Sequence, residues 1–211
     1  MNKTKIEYCD FTWNPIKGLC PEACWYCYAR RMYQRFKWDP KLQLVDSVEA
    51  DAPLPRQRVF VCSTMELFHP DVPKEWRDYI FSGIEDLPHT FIILTKRPEL
   101  IDRAIPDNVW LGVSVEGAED SWRIEKLAGI KARVKFVSLE PFIGTTPRLL
   151  SPREFDWLIV GRLTGHGRKR DPEPHALGWL VLQAKKLGIP IFMKDNLKDN
   201  WAGPLIQEFP R

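Results

Sequence analysis

Cys20-Pro-Glu-Ala-Cys24-Trp-Tyr-Cys27 puts three thiols within eight residues, spaced C-x3-C-x2-C, with an aromatic residue directly before the last. Thiolates are soft donors that suit zinc or iron–sulfur clusters. Three ligands from one short loop leave a fourth position to another group. The count matters, because structural zinc sites are usually closed by four protein ligands, whereas reactive metal sites keep one position open. Zinc would need Cys9, Cys62 or His69 as its fourth ligand.

The other residues able to do chemistry follow short apolar runs. Ser63, Thr64 and Glu66 come after Arg58–Cys62, and Lys96 and Arg97 after Thr90–Leu94. Ser114 and Glu116 follow Val109–Val113, and Ser138 and Glu140 follow Val134–Val137. Arg162 follows Trp157–Val160, and Lys194 and Asp195 follow Ile189–Phe192. Loops are polar in any protein, yet here every apolar run ends in a polar or charged residue. Mixed charge of this kind suits a zwitterionic ligand better than a plain phosphate. Cys9 and Cys62 read as small buried hydrophobes. His69 is either a structural hydrogen-bonder or a substrate contact, while His89, His166 and His175 have no assigned role. Gly167-Arg-Lys-Arg170 reads as a solvated loop or, less simply, as a contact for a phosphate backbone.

The elements that must position these residues alternate. Phe11–Ile16 is a first extended segment ending at the cysteine loop, and Tyr28–Phe36 is a helix with Met32 and Phe36 at i, i+4. Residues 37–55 are irregular. The apolar runs are strands, separated by helices at Pro73–Phe81, around Glu99–Ala104, at Ser121–Leu127 and at Ala176–Leu187. Pro73 occupies a tolerated first-turn position. Trp76, Trp122 and Trp179, in helical settings, are expected to pack. Near-continuous apolar strands alternating with helices imply a parallel sheet covered on its outer face. The expected fold is therefore α/β, a partial or small β/α barrel with parallel strands and the cysteine loop after the first strand. An open doubly wound sheet is the alternative, weakened by the absence of a Gly-rich dinucleotide fingerprint. In a barrel the C-terminal strand ends form the active site, which would gather the charges described above.

At 211 residues and 44% apolar content, the chain can bury one sizeable core, so a single domain spanning 1–211 is expected. The net charge of +3 neither demands nor excludes nucleic acid. No apolar run approaches the length of a membrane span, and no apolar segment follows Met1–Glu7, so no membrane partner is expected. Five cysteines, three of them clustered, do not form a disulfide framework in a chain this long, and the cytoplasm is the expected compartment.

With Tyr26 as the aromatic residue, C-x3-C-x-Φ-C resembles the cluster motif of the radical S-adenosylmethionine (SAM) superfamily. A narrower resemblance covers nearly the whole chain. The runs Thr4–Glu7, Thr12–Pro15, Cys27–Ala29, Leu67–His69, Leu94–Pro98, Asn108–Glu116, Phe136–Pro141 and Ile159–Gly161 look like the phage-associated three-cysteine-motif family of unknown function. The resemblance implies a [4Fe–4S] cluster on Cys20, Cys24 and Cys27, with SAM chelating the remaining iron. It also implies a one-electron reductant such as flavodoxin or ferredoxin, and reductive cleavage of SAM to a 5′-deoxyadenosyl radical that abstracts hydrogen from a substrate. Tyr26 would lie against the adenine, and Ser63, Thr64 and Glu66 at the SAM amino group. Ser114, Glu116, Ser138 and Glu140 would face the ribose or methionine moiety, and Arg97 would pair with a carboxylate. His69, Lys96, Arg162, Lys194 and Asp195 would face the substrate, for which a nucleotide or nucleic acid is one class. Arg162-Leu-Thr-Gly165 departs from the Gly-Glu-Ser-Gly-like continuation expected there, and Phe192–Asn196 departs from a more aromatic ending. Two further readings stand beside this enzyme: an iron–sulfur electron-transfer or sensing module without SAM chemistry, and a zinc-stapled nucleic-acid-binding domain. The last finds no strong basic stripe or reader motif in the chain.

Overall fold

The computed structural model describes residues 1–45, 56–147, 154–165 and 170–210. Its elements are β1 (Asn2–Lys3), β2 (Phe11–Trp13), β3 (Ile16–Lys17), α1 (Tyr28–Phe36), β4 (Gln43–Leu44), β5 (Arg58–Val61), α2 (Lys74–Glu85), β6 (Thr90–Thr95), β7 (Val109–Val115), α3 (Ser121–Ala128), β8 (Val134–Leu139), β9 (Trp157–Val160), α4 (Pro174–Leu187) and β10 (Ile191–Met193). The protein is α/β, with eight strands ordered β1-β2-β5-β6-β7-β8-β9-β10 and a separate β3-β4 pair. Among the described residues the order follows the chain from β1 to β10 and the sheet is open, so the parallel α/β part of the expectation is met and the closure into a barrel is not shown. The pairings β2–β5, β5–β6, β8–β9 and β9–β10 are parallel, and β1–β2 is antiparallel. The chain divides into two compact units, residues 1–110 and 111–211.

In the first unit, Val59, Val61, Phe91 and Ile93 alternate with Phe60 and Ile92, and all are buried. Strands buried on both faces must be apolar at every position, which is why these runs show no polar alternation. The helix α2 contributes Ile80, Phe81 and Ile84, spaced for one buried stripe. It starts after Pro73, whose lack of a backbone N–H costs nothing at a helix entry. The helix α1 closes on Lys37 in the left-handed region.

In the second unit, Leu111, Val113 and Val115 of β7, Phe136, Val137 and Leu139 of β8 and the whole of β9 are buried. Ile124 and Leu127 of α3 and Leu177, Leu180 and Ala184 of α4 complete that core. Gly188, left-handed at φ 69°, ends α4 and turns the chain into β10. Trp157 gathers Phe136, Phe192 and Phe209 at ring separations of 5.4–6.0 Å, and its indole N–H reaches the Glu208 carbonyl at 2.8 Å. Gly112 lies under the Phe136 ring, where a Cβ would overlap the ring atoms.

Several boundaries differ from expectation. The helix anticipated around Glu99–Ala104 is only a 3-10 turn at Pro98–Leu100. The first extended segment divides into β2 and β3, and Cys62 is not in β5 but in a left-handed conformation just past it. Ser114 and Ser138 lie inside β7 and β8 rather than after them. Trp122 and Trp179 are exposed instead of packed, while Trp76 is half-buried. Residues 46–55 of the irregular stretch, and His166 to Lys169 of the basic loop, lie outside the described residues. Among the described residues no helix is long and apolar enough to cross a membrane.

Candidate functional site

In the first unit the cysteine loop is folded by two tight turns. Ala23 N–H donates to the Cys20 carbonyl and Cys27 N–H to the Cys24 carbonyl, at 3.4 and 3.1 Å. Arg30 reaches back from α1 to the Cys20 carbonyl at 3.0 Å, and the Tyr33 hydroxyl accepts from Gly18 N–H at 2.8 Å. The helix thus ties down the start of the loop. All three thiols are free, and together with Tyr33 and Thr64 they line one cavity of about 20 Å³. Burial pushes the Cys20 thiol up to about 11; it raises Cys24 too, with the Lys96 ammonium working against the shift. Thiols in this setting keep their protons and are poor nucleophiles, a preference that a bound cation inverts. Among the described residues no three or more His, Cys, Asp and Glu side chains converge as ligands of a metal ion. A cluster, however, spreads its cysteines over different irons. Three thiols lining one cavity, none of them in a disulfide, are a donor set of the chemical type that such a group takes.

Glu66 is the brace of this region. Its buried carboxylate accepts from the Thr95 hydroxyl at 2.6 Å, from Lys96 N–H at 2.7 Å and from Phe68 N–H at 3.1 Å. Its own N–H donates to the Cys20 sulfur at 3.3 Å. One residue therefore links the end of β5, the end of β6 and the first cysteine. Burial raises its pKa even against these three donors.

Tyr26 and Lys96 lie together: the ammonium donates to the phenol oxygen at 2.8 Å and stands 5.5 Å from the ring centroid. Arg97 is held by Glu22, 2.8 Å away and itself inside the cysteine loop, and that hydrogen bond raises the arginine pKa. Ser63 and Thr64 converge on the Asn14 side-chain oxygen, at 3.2–3.4 Å. His69 uses Nδ1 to accept from Asp71 N–H at 3.1 Å. Cys9 and Cys62 are both buried, as expected, and burial holds the Cys62 thiol high.

The second unit builds its polar groups on neighbouring strand ends. Gly161 N–H donates to the Leu139 carbonyl and Lys194 N–H to the Val160 carbonyl, which aligns Glu140, Gly161 and Lys194. The Lys194 ammonium then meets Glu140 at 2.6 Å. Gly161 is glycine for a local reason: a Cβ there would come within 3.0 Å of the Glu140 carboxylate and 3.1 Å of the Lys194 side chain. Ser138 is fully buried and its hydroxyl has no hydrogen-bond partner, whereas Ser114 reaches the Glu140 carbonyl at 3.5 Å. Arg123 organises the end of β7. It donates to the Ser114 carbonyl at 2.8 Å and stands 3.1 Å from Asp120 and 3.6 Å from Glu116. Arg162 is engaged by Asp171 at 2.8 Å, with its backbone exchanging bonds with Asn196. Asp195 is exposed, 3.4 Å from Lys198.

Sequence reasoning missed Asn14, Glu22, Asp120, Arg123 and Asp171. Signals existed for some: Asn14 lies in the Thr12–Pro15 run, Glu22 lies between two of the cysteines, and Asp120 and Arg123 have helical i, i+3 charge spacing.

Fold and site together define an α/β protein with a cysteine loop next to a carboxylate-braced strand end. The chain belongs to a protein family of unknown function (DUF5131), whose model matches residues 3–201. No curated protein and no solved structure matches it.

Proposed function

We propose that the protein is a radical SAM enzyme of the partial β/α-barrel type, with Cys20, Cys24 and Cys27 holding a [4Fe–4S] cluster. The observation that carries this reading is the set of three free thiols on one cavity in the C-x3-C-x-Φ-C spacing. A cluster held by Cys20, Cys24 and Cys27 would supply one-electron reduction of bound SAM. The chain's own residues hold and orient. Glu66 fixes the first cysteine through its N–H and fixes β6 through its carboxylate. Lys96 places a positive charge beside Tyr26 and Cys24, so that negative charge gathered on the loop is offset. The Glu22–Arg97 pair ties the loop to the end of β6, and Asn14 positions Ser63 and Thr64. The cofactor-facing roles of Ser114, Glu116, Ser138 and Glu140, and the substrate-facing roles of His69, Arg162, Lys194 and Asp195, belong to this proposal. So do a flavodoxin or ferredoxin as electron donor and a cytoplasmic setting.

The test is anaerobic reconstitution with iron and sulfide, reduction, and chromatographic measurement of 5′-deoxyadenosine formed from SAM. The proposal expects product from the native chain and none from Cys20→Ala, Cys24→Ala or Cys27→Ala. A reduced, cluster-replete protein that never cleaves SAM would make it an electron-transfer or sensing module. Zinc without iron or sulfide would make it a zinc-stapled domain.

A further inference from the structure

Five large apolar side chains between residues 25 and 38 stay exposed: Trp25, Tyr28, Met32, Phe36 and Trp38, each 37–55% accessible. Tyr28, Met32 and Phe36 fall at i, i+4 and i+8, a single stripe of α1. Spacing of this kind ordinarily marks a core-facing side, but here the stripe faces water. Past the helix end, Trp38 stacks on Phe36 with centroids 5.3 Å apart and planes 23° apart, and meets Tyr33 edge-on. The rings are therefore preset rather than loose.

Among the described residues the exposed charges beside the stripe are mostly cationic. Arg35, Lys37 and Lys41 are exposed, and the Arg35 guanidinium lies 5.3 Å from the Phe36 ring centroid. No carboxylate occurs in α1. The neighbouring Asp39 is engaged by Lys41 N–H at 2.9 Å and by the Gln43 amide at 2.8 Å. Exposed apolar patches of this density mark interaction sites, and the cations specify a polyanion.

We propose that this face of the first unit is a docking surface for single-stranded nucleic acid. A single strand answers both halves of the surface. Its phosphates meet the cations, and its unpaired bases stack on exposed rings and guanidinium planes. A duplex keeps its base faces hidden. An acidic protein answers the charge without needing flat exposed rings, and a second copy of the chain docking through the same face brings like charge against like. The inference does not rest on the cluster reading: although Trp25 lies in the cysteine loop, the residues tested, Arg35 to Trp38, lie at the end of α1 and just past it, and binding is read without SAM.

The test is fluorescence anisotropy of a labelled single strand of about 20 nucleotides, longer than one such binding site, titrated with the full chain. Binding is expected at about 50 mM salt, weakening more than tenfold by about 200 mM, with the matching duplex binding more weakly at both. The double variant Phe36→Ala, Trp38→Ala should lose about tenfold or more through stacking. Arg35→Glu with Lys37→Glu should lose a similar factor and flatten the salt dependence. Trp179→Ala, which removes an exposed tryptophan from α4, should bind as the native chain does, with circular dichroism unchanged in all variants. Cys20→Ala should keep binding while losing SAM cleavage, which separates the two proposals. The inference is overturned by no binding at low salt, by equal binding of duplex, or by folded patch variants that bind normally. It is equally overturned if the patch variants abolish self-association, or the docking of an acidic flavodoxin-type protein, while oligonucleotide binding is absent.

Discussion

Glu66 in the first unit and Glu140 in the second both sit just past a parallel strand, and they are held in opposite ways. The Glu66 carboxylate is buried and takes three hydrogen bonds from a hydroxyl and two backbone N–H groups. Glu140 is partly exposed and faces an ammonium at 2.6 Å across a glycine. Burial against neutral donors raises the Glu66 pKa, because oriented dipoles recover only part of what lost hydration costs the charge. A carboxylate beside Lys194 has its charge balanced by another. The same residue type in the same topological place thus serves as a brace in one unit and as half of a polar surface in the other.

The largest effect should follow from breaking the brace. Glu66→Ala leaves Thr95, Lys96 N–H and Phe68 N–H without their acceptor in a site closed to water, and should cost roughly 3 kcal/mol or more of unfolding free energy. Glu66→Gln keeps the shape and one acceptor oxygen, and should cost about half of that. Denaturant titration reads both; a loss under about 1 kcal/mol for the alanine variant would make Glu66 a loosely held ligand group instead.

The next contrast lies within the second unit, between two glycines. Gly112→Ala drives a methyl into the fully buried Phe136 ring and should cost about 2–3 kcal/mol in the same titration. Below it comes the Glu140–Lys194 pair. A double-mutant cycle of Glu140→Gln and Lys194→Met should show coupling of about 1 kcal/mol, diminishing as salt is added. A coupling several times larger, and indifferent to salt, would place Glu140 in the same class as Glu66. Smallest is Gly161→Ala, where the new methyl meets a carboxylate end and a lysine methylene that can yield. A cost of about 0.5 kcal/mol is expected, with thermal melts that barely move.

The parts of this molecule legible in its sequence are those set by local chemistry. Tyr28–Phe36, β5, β6, β8 and β9 stand within a residue or two of where apolar runs, caps and prolines put them. The cysteine loop is legible from thiol spacing alone. What sequence could not show is set by partners far along the chain. Thr95 and Lys96, which decide the role of Glu66, are 29 and 30 residues away from it. Met32 and Phe36 illustrate the same limit from the other side. Their spacing defines a helix face, but whether anything covers that face is a tertiary fact, and here nothing among the described residues buries it. Around Glu99–Ala104 the local pattern permits a helix, yet the chain makes a single 3-10 turn and moves on.

The claim on which the account depends is that Cys20, Cys24 and Cys27 carry a cluster that engages SAM. The most direct measurement is the electron paramagnetic resonance spectrum of the anaerobically reconstituted, reduced protein, recorded with and without SAM. The account predicts a reduced [4Fe–4S] signal that changes shape when SAM is added and is absent from each cysteine-to-alanine variant. A signal indifferent to SAM, or a protein that takes up zinc and no iron, would contradict it.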